Sequence, residues 1–428
     1  MNGFDYIVAT DFDRAWLNFE LDLPLKPEKN GNPNPFYIDR PGNPIDELVD
    51  ALLAPFYRPP KFFFSGHRGC GKSTELLHLL GNPEIQKKYW PINFSIREEA
   101  DIIDLDFRDV LIAIGSRLFR EYRKKGGSLP DQLLKELNTW KGKIENESSA
   151  NLNSQVSNNG LDASIDSFFV NIGLKMKFEP ATRVELRQSV ENDITGLIAL
   201  INHIATTIYA QERLIPLILI DDIDKPNLDI QRAIFHDRRE IVMQPNCAIV
   251  YTVSSALFYS KEFDTIRDQA FFLPNIYVHP PLKPEVHNEE GYQTLRKFVH
   301  MRIIPDLIED SALDQAIYYS GGIFRELARI IRSAIGRARR RKANKIELSD
   351  IEWSATEIRN EYRRILDDDD LVLLRTVREN NRLKYSDRIR PLLQLLALIE
   401  YRDEENWCDV HPVLRKLLDE EINQQADN

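Results

Sequence analysis

Apolar residues along this chain follow two rhythms. Short unbroken runs, Phe62–Phe64, Leu217–Ile220 and Cys247–Val253, have the length and β-branched or aromatic content of strands buried on both faces. Between them, apolar residues recur at helical spacing, as in Val110, Leu111, Ile114, Leu118 and Phe119 within 107–122, or Ile323, Leu327, Ile330 and Ile331. Tyr89–Ile96 and Asn275–Val278, the latter closed by Pro280 and Pro281, complete a set of strand candidates that alternate with helices. Alternation of this kind predicts an α/β fold, a parallel sheet sandwiched between helical layers.

The texture changes along the chain and suggests boundaries. Residues 1–35, with Pro24, Pro27 and the Asn30–Pro35 stretch, read as an extended N-terminal arm, and a helix follows at about Ile45–Phe56. The core runs from 36 to 282, interrupted at about 124–180 by a polar insertion whose Asn- and Ser-rich middle, Glu145–Gly160, reads as flexible; a long amphipathic segment, Ala181–Arg213, comes next. Helices fill 283–366. From 367 to 428, helical patterns at Leu371–Val377 and Ile389–Leu396, strand candidates Leu398–Tyr401 and Trp407–Val410 joined by Arg402–Asn406, and a last helix after Pro412 predict a small winged-helix-like module.

One stretch carries specific chemistry. Gly66, Gly71, Lys72 and Ser73 match G-x-x-x-x-G-K-[ST] between a predicted strand and the helical Leu76–Leu80, the context a P-loop requires. There the backbone N–H groups from Gly66 to Thr74, those of Arg68, Gly69 and Cys70 included, turn inward on phosphate oxygens while the helix N-terminus adds its positive dipole end. Lys72 reaches the β- and γ-phosphates and Ser73 holds Mg²⁺ through its hydroxyl, so ATP with Mg²⁺ is the expected ligand. The side chains of His67 and Cys70 occupy variable positions of the loop and need no catalytic role. Asp221 and Asp222 end the apolar run of Leu217–Ile220, at the strand end where ligands bind in open α/β sheets; Asp221 would orient the Mg²⁺ shell and Asp222 would polarise an attacking water. Thr252 and Ser254, with Ser255, end the next strand, either to touch the γ-phosphate or lytic water or merely to terminate it.

With these motifs in place, the chain resembles the AAA+ and STAND superfamily of P-loop ATPases over roughly residues 36–362, nearest the origin-recognition and bacterial conflict-system branches. The resemblance rests on Gly66–Thr74 and Leu217–Asp222 and implies a helical lid, with Gly321 and Gly322 opening a helix from which Arg325 points back at the phosphates as a second sensor. The alternative for Arg325 is a solvent-facing side chain on the polar side of that helix. The resemblance also makes Arg267 a candidate arginine finger for a neighbour's γ-phosphate, against a plain surface arginine, and implies a homo-oligomer. Two departures stand out. The residue after the metal-binding Asp is Asp222 where many members have Glu, which implies slow or partner-stimulated hydrolysis, and Thr252–Ser255 lacks the arginine that STAND proteins often place there.

Composition narrows the reading. The 428 residues are 43% hydrophobic with three scattered cysteines and a net charge of −11, which fits a packed cytoplasmic protein without disulfide framework or cysteine metal site and argues against nucleic-acid binding by the whole surface. No apolar stretch is long enough to span a bilayer, so no membrane partner is expected. The basic stretch Arg337–Lys345 leaves a local nucleic-acid contact open. Two functions follow: an ATP-dependent switch that assembles and controls a protein effector or regulatory partner, in bacterial antiphage defence on the resemblance, or an ATP-dependent DNA-binding initiator or transposition-type regulator.

Overall fold

The structure, a computed structural model, describes residues 4–22, 25–28, 32–148, 160–382, 386–402 and 406–426. In chain order the elements are α1 (Phe12–Asn18), α2 (Asp46–Leu53), β1 (Lys61–Gly66), α3 (Lys72–Leu79), α4 (Pro83–Lys88), β2 (Tyr89–Ser95), α5 (Phe107–Lys124), α6 (Asp131–Glu147), α7 (Gly160–Phe178), α8 (Pro180–Asn192), α9 (Ile194–Glu212) and β3 (Ile215–Asp221). There follow α10 (Leu228–Arg232), α11 (Arg239–Val242), β4 (Ala248–Val253), α12 (Ser255–Phe258), β5 (Ala270–Leu273), α13 (Glu289–His300), α14 (Asp310–Tyr319), α15 (Phe324–Arg340), α16 (Leu348–Arg363), α17 (Asp368–Asn380), α18 (Ile389–Gln394), β6 (Leu398–Arg402), β7 (Asn406–Val410) and α19 (Arg415–Ala426). The chain divides into two compact units, one of residues 49–65 and 82–271, the other of 1–48, 66–81 and 272–428.

The first unit holds the sheet, an α/β arrangement with strand order β2-β3-β4-β1-β5 in which the pairings β2/β3, β3/β4 and β4/β1 are parallel. Pro216–Ile220 and every residue of β4 are buried, which is why these strands read as unbroken apolar runs. Register aligns Ser65 with Val253 and Ser95 with Asp221, so β1 to β4 all end at one edge.

The insertion has a core of its own. Trp140 of α6 packs edge-on against Phe168 of α7, and Phe169 packs on Phe119 of α5. Of the Glu145–Gly160 stretch read as flexible, residues 149–159 lie outside the described residues. The segment Ala181–Arg213 is two helices rather than one: Asp193 turns out of helical geometry at φ −132°, ψ 39°, and its carboxylate takes Lys143 at 3.0 Å.

In the second unit α13 to α16 pack together as helices, and α17, α18, the antiparallel pair β6/β7 and α19 follow in helix, helix, hairpin, helix order. The hairpin tip at 403–405 lies outside the described residues. The strand expected at Asn275–Val278 is displaced: β5 is Ala270–Leu273, and Pro274, which has no N–H to give a ladder, ends it. Ile276 and Val278 are buried all the same. Gly322, at φ +76°, lies so close to this segment that a Cβ there would sit 1.5 Å from the Ile276 carbonyl oxygen. No helix among the described residues is long and apolar enough to cross a membrane.

Candidate functional site

The glycine loop leaves β1 and enters α3. Gly71 is the N-cap of α3 and, as a glycine, offers no capping side chain at the helix N-terminus, the end that attracts anions. Lys72 is 5% exposed, and its ammonium donates to the carbonyls of Gly66 at 2.8 Å and His67 at 3.2 Å. Ser73 is exposed. A glycine-capped helix N-terminus with a buried lysine on the same loop fits a phosphate chain.

The loop is bound closely by its own unit. The backbone N–H of Arg325 donates to the Gly69 carbonyl at 3.2 Å, and Gly69, at φ +80°, is so close that a Cβ there would lie 2.5 Å from the Arg325 Cβ. Arg40 donates from Nη2 to the Cys70 carbonyl at 3.0 Å and sits 3.9 Å from the Glu75 carboxylate, which also accepts from the Tyr37 hydroxyl at 3.2 Å. Burial raises the pKa of Glu75. The His67 imidazole is buried and accepts at Nε2 from the Glu400 N–H of β6 at 2.9 Å. Burial, then the charge of Lys72, lowers its pKa to about 3. Arg40, Tyr37 and His67 were not legible as site residues, because nothing in their spacing singles them out and their partners come from distant elements.

Beyond β3, Asp222 adopts φ +65°, a left-handed conformation that Asp tolerates better than most residues. Its Oδ2 accepts from the Ser95 hydroxyl at 2.6 Å and lies 3.6 Å from Arg97. Asp221, Asp222 and Asp224 each offer an oxygen within 4.8 Å of the others, a hard oxygen set that fits Mg²⁺. The Thr252 hydroxyl donates to the Ile220 carbonyl at 3.3 Å, and the Ser254 hydroxyl caps α12 at the Leu257 N–H, so both are engaged in holding the strand end.

Two further candidates have local partners. Arg267 pairs with Asp264 at 3.2 Å and lies over the Phe258 ring. The guanidinium of Arg325 donates to the Leu21 carbonyl at 3.2 Å and pairs with Asp22, in a cavity of about 390 Å³ that Arg68 and Arg329 also line. Part of the basic stretch is paired within the chain: Arg337 and Arg341 pair with the buried Asp350, Arg339 pairs with Asp13, and Arg337 and Arg340 stack on Trp353.

No family model and no curated protein matches the chain. Solved structures similar to it include the Walker-type ATPase PABY2304 of Pyrococcus abyssi (TM-score 0.45, 13% identity, 94% of this chain and 99% of that one). Others are Drosophila ORC bound to DNA (TM-score 0.43, 10% identity, 97% and 94% covered) and the Aeropyrum pernix ORC1 protein in complex with DNA (TM-score 0.41, 12% identity, 98% of each chain). Likenesses at these scores span the chain without fixing its activity.

Proposed function

We propose that this chain is an AAA+-type ATPase that binds ATP with Mg²⁺ in the Gly66–Thr74 loop and uses the bound state as a switch. The observation that carries the reading is the loop itself: a glycine-capped helix N-terminus with the buried ammonium of Lys72 beside it, at the end of a strand in a parallel sheet. In this reading the loop amides and Lys72 take the phosphates, Ser73 and Asp221 hold Mg²⁺, and Asp222 orients the attacking water with Ser95 fixing its carboxylate. Bound Mg²⁺ supplies charge neutralisation at the phosphates. Arg325 and Arg267 are the candidate sensor and finger, and a homo-oligomer and a protein effector, in antiphage defence or elsewhere, are the proposed readouts.

An ATP-dependent DNA-binding initiator is the alternative reading; of its basic stretch, Arg337 and Arg341 are engaged by the buried Asp350, while Arg339 pairs with the exposed Asp13. Equilibrium binding of ATP and Mg²⁺ to wild type and Lys72→Ala tests the proposal. A large loss of affinity is expected, and equal binding by the two proteins would overturn it.

A further inference from the structure

Three arginines of α15, Arg325, Arg332 and Arg339, recur every seven residues, which returns a helix to within about 20° of the same face. Each meets an acid of the N-terminal arm: Arg325 pairs with Asp22, Arg332 with Glu20 at 2.8 Å and Arg339 with Asp13 at 2.6 Å. The arm thus runs antiparallel to α15, with Trp16 of α1 under the Arg332 guanidinium. By chemistry the three pairs are alike. By position they are not, because only Arg325 touches the glycine loop, through its N–H on the Gly69 carbonyl and its Cβ against Gly69.

The Asp22 side chain is 84% exposed, so the pair is weak enough for a bound anion to break. Arg325 is also held by the Leu21 carbonyl, which fixes its guanidinium toward the arm. A phosphate that engages this guanidinium has to draw it off Asp22, and the affinity of such a ligand falls by the fraction of molecules in which the pair is formed.

We propose that Asp22 is a positioning residue that competes with the nucleotide's terminal phosphate for Arg325 and so sets the discrimination between ATP and ADP. This rests on the reading of Gly66–Thr74 as the ATP site. Asp13 and Glu20, on the same stripe but away from the loop, serve as internal controls.

The test is the ratio of ADP to ATP dissociation constants for the full chain, from competition against a fluorescent nucleotide. Asp22→Asn is expected to tighten ATP binding roughly two- to fivefold, the range of an exposed ion pair, with ADP unchanged. Asp22→Glu restores the wild-type ratio, Glu20→Gln and Asp13→Asn leave it where it was, and in an Arg325→Ala background Asp22→Asn has no effect. If Asp22→Asn leaves the ratio unaltered, or Glu20→Gln moves it equally, while Lys72→Ala abolishes binding, the positioning role is wrong and the ATP reading stands. If Lys72→Ala binds ATP like wild type, the ATP reading fails and takes this proposal with it.

Discussion

The imidazole of His67, inside the glycine loop, accepts a 2.9 Å hydrogen bond from the backbone N–H of Glu400 in the C-terminal hairpin. An acceptor nitrogen requires the neutral ring, and burial together with Lys72 holds the pKa near 3, well below the usual 6.5. The loop and the hairpin are therefore joined by a contact that protonation would break.

Because the folded pKa is depressed, this histidine contributes stability that is present above pH 6.5 and lost as pH falls toward 3, where the unfolded chain binds the extra proton. The expected loss is about 1 kcal/mol between about pH 6.5 and 5.5. His411, also buried and depressed to about 3, adds an equal share, while Asp109, raised to about 6, works in the opposite sense, so His67→Gln is expected to remove about 1 kcal/mol of the loss between about pH 6.5 and 5.5 from the pH dependence read by urea unfolding. Superimposable profiles for the two proteins would refute the assignment.

Gly69→Ala places a Cβ 2.5 Å from that of Arg325 at a backbone φ of +80°. A destabilisation of about 1–3 kcal/mol is expected, with loss of the melting-temperature shift produced by ATP. Gly142→Ala, inside α6 with nothing within 4 Å, is the control and is expected to be neutral or to stabilise by up to about 1 kcal/mol. Equal effects at the two sites would show that the contact with Arg325 is unimportant.

Ser95 grips the carboxylate of Asp222 at 2.6 Å. Ser95→Ala frees that carboxylate to rotate while leaving the glycine loop intact. Single-turnover ATP hydrolysis is expected to slow about tenfold with ATP affinity unchanged. A weakened affinity with an unchanged rate would remove Asp222 from the hydrolytic role.

In the first unit, Arg187 holds the buried Asp109 by two bonds, at 2.5 and 3.0 Å. Burial nevertheless raises the Asp109 pKa to about 6, outweighing the guanidinium beside it. Arg187→Ala is expected to cost about 3–5 kcal/mol by stranding that carboxylate, and the double variant Arg187→Met, Asp109→Leu to recover most of it, as read from urea unfolding. A double variant no better than the single would place the loss in packing.

What could be read from sequence was local. Gly66–Thr74 and Leu217–Asp222 declare themselves because strand, loop and helix each impose a pattern on adjacent residues, and the strands of the sheet follow from apolar runs. Asn275–Val278 misled because its apolar residues are buried in an extended loop, beyond a proline that ends the ladder. The break at Asp193 leaves no mark on the apolar rhythm. Arg40, Asp22 and Glu400 escaped because each acts on residues that only the folded chain brings near.

Asn18 of α1 donates from Nδ2 to the carbonyls of Ile7 and, 284 residues further along the chain, Arg302, while the Ala9 N–H donates to that same Arg302 carbonyl. The arm is made before its seat, which is translated roughly 15–60 s later at ordinary elongation rates. Until then Phe19, which ends 1% exposed, has no place to go. A segment made early is thus fixed late, and during that interval a nascent-chain chaperone has a defined, short-lived target in the arm.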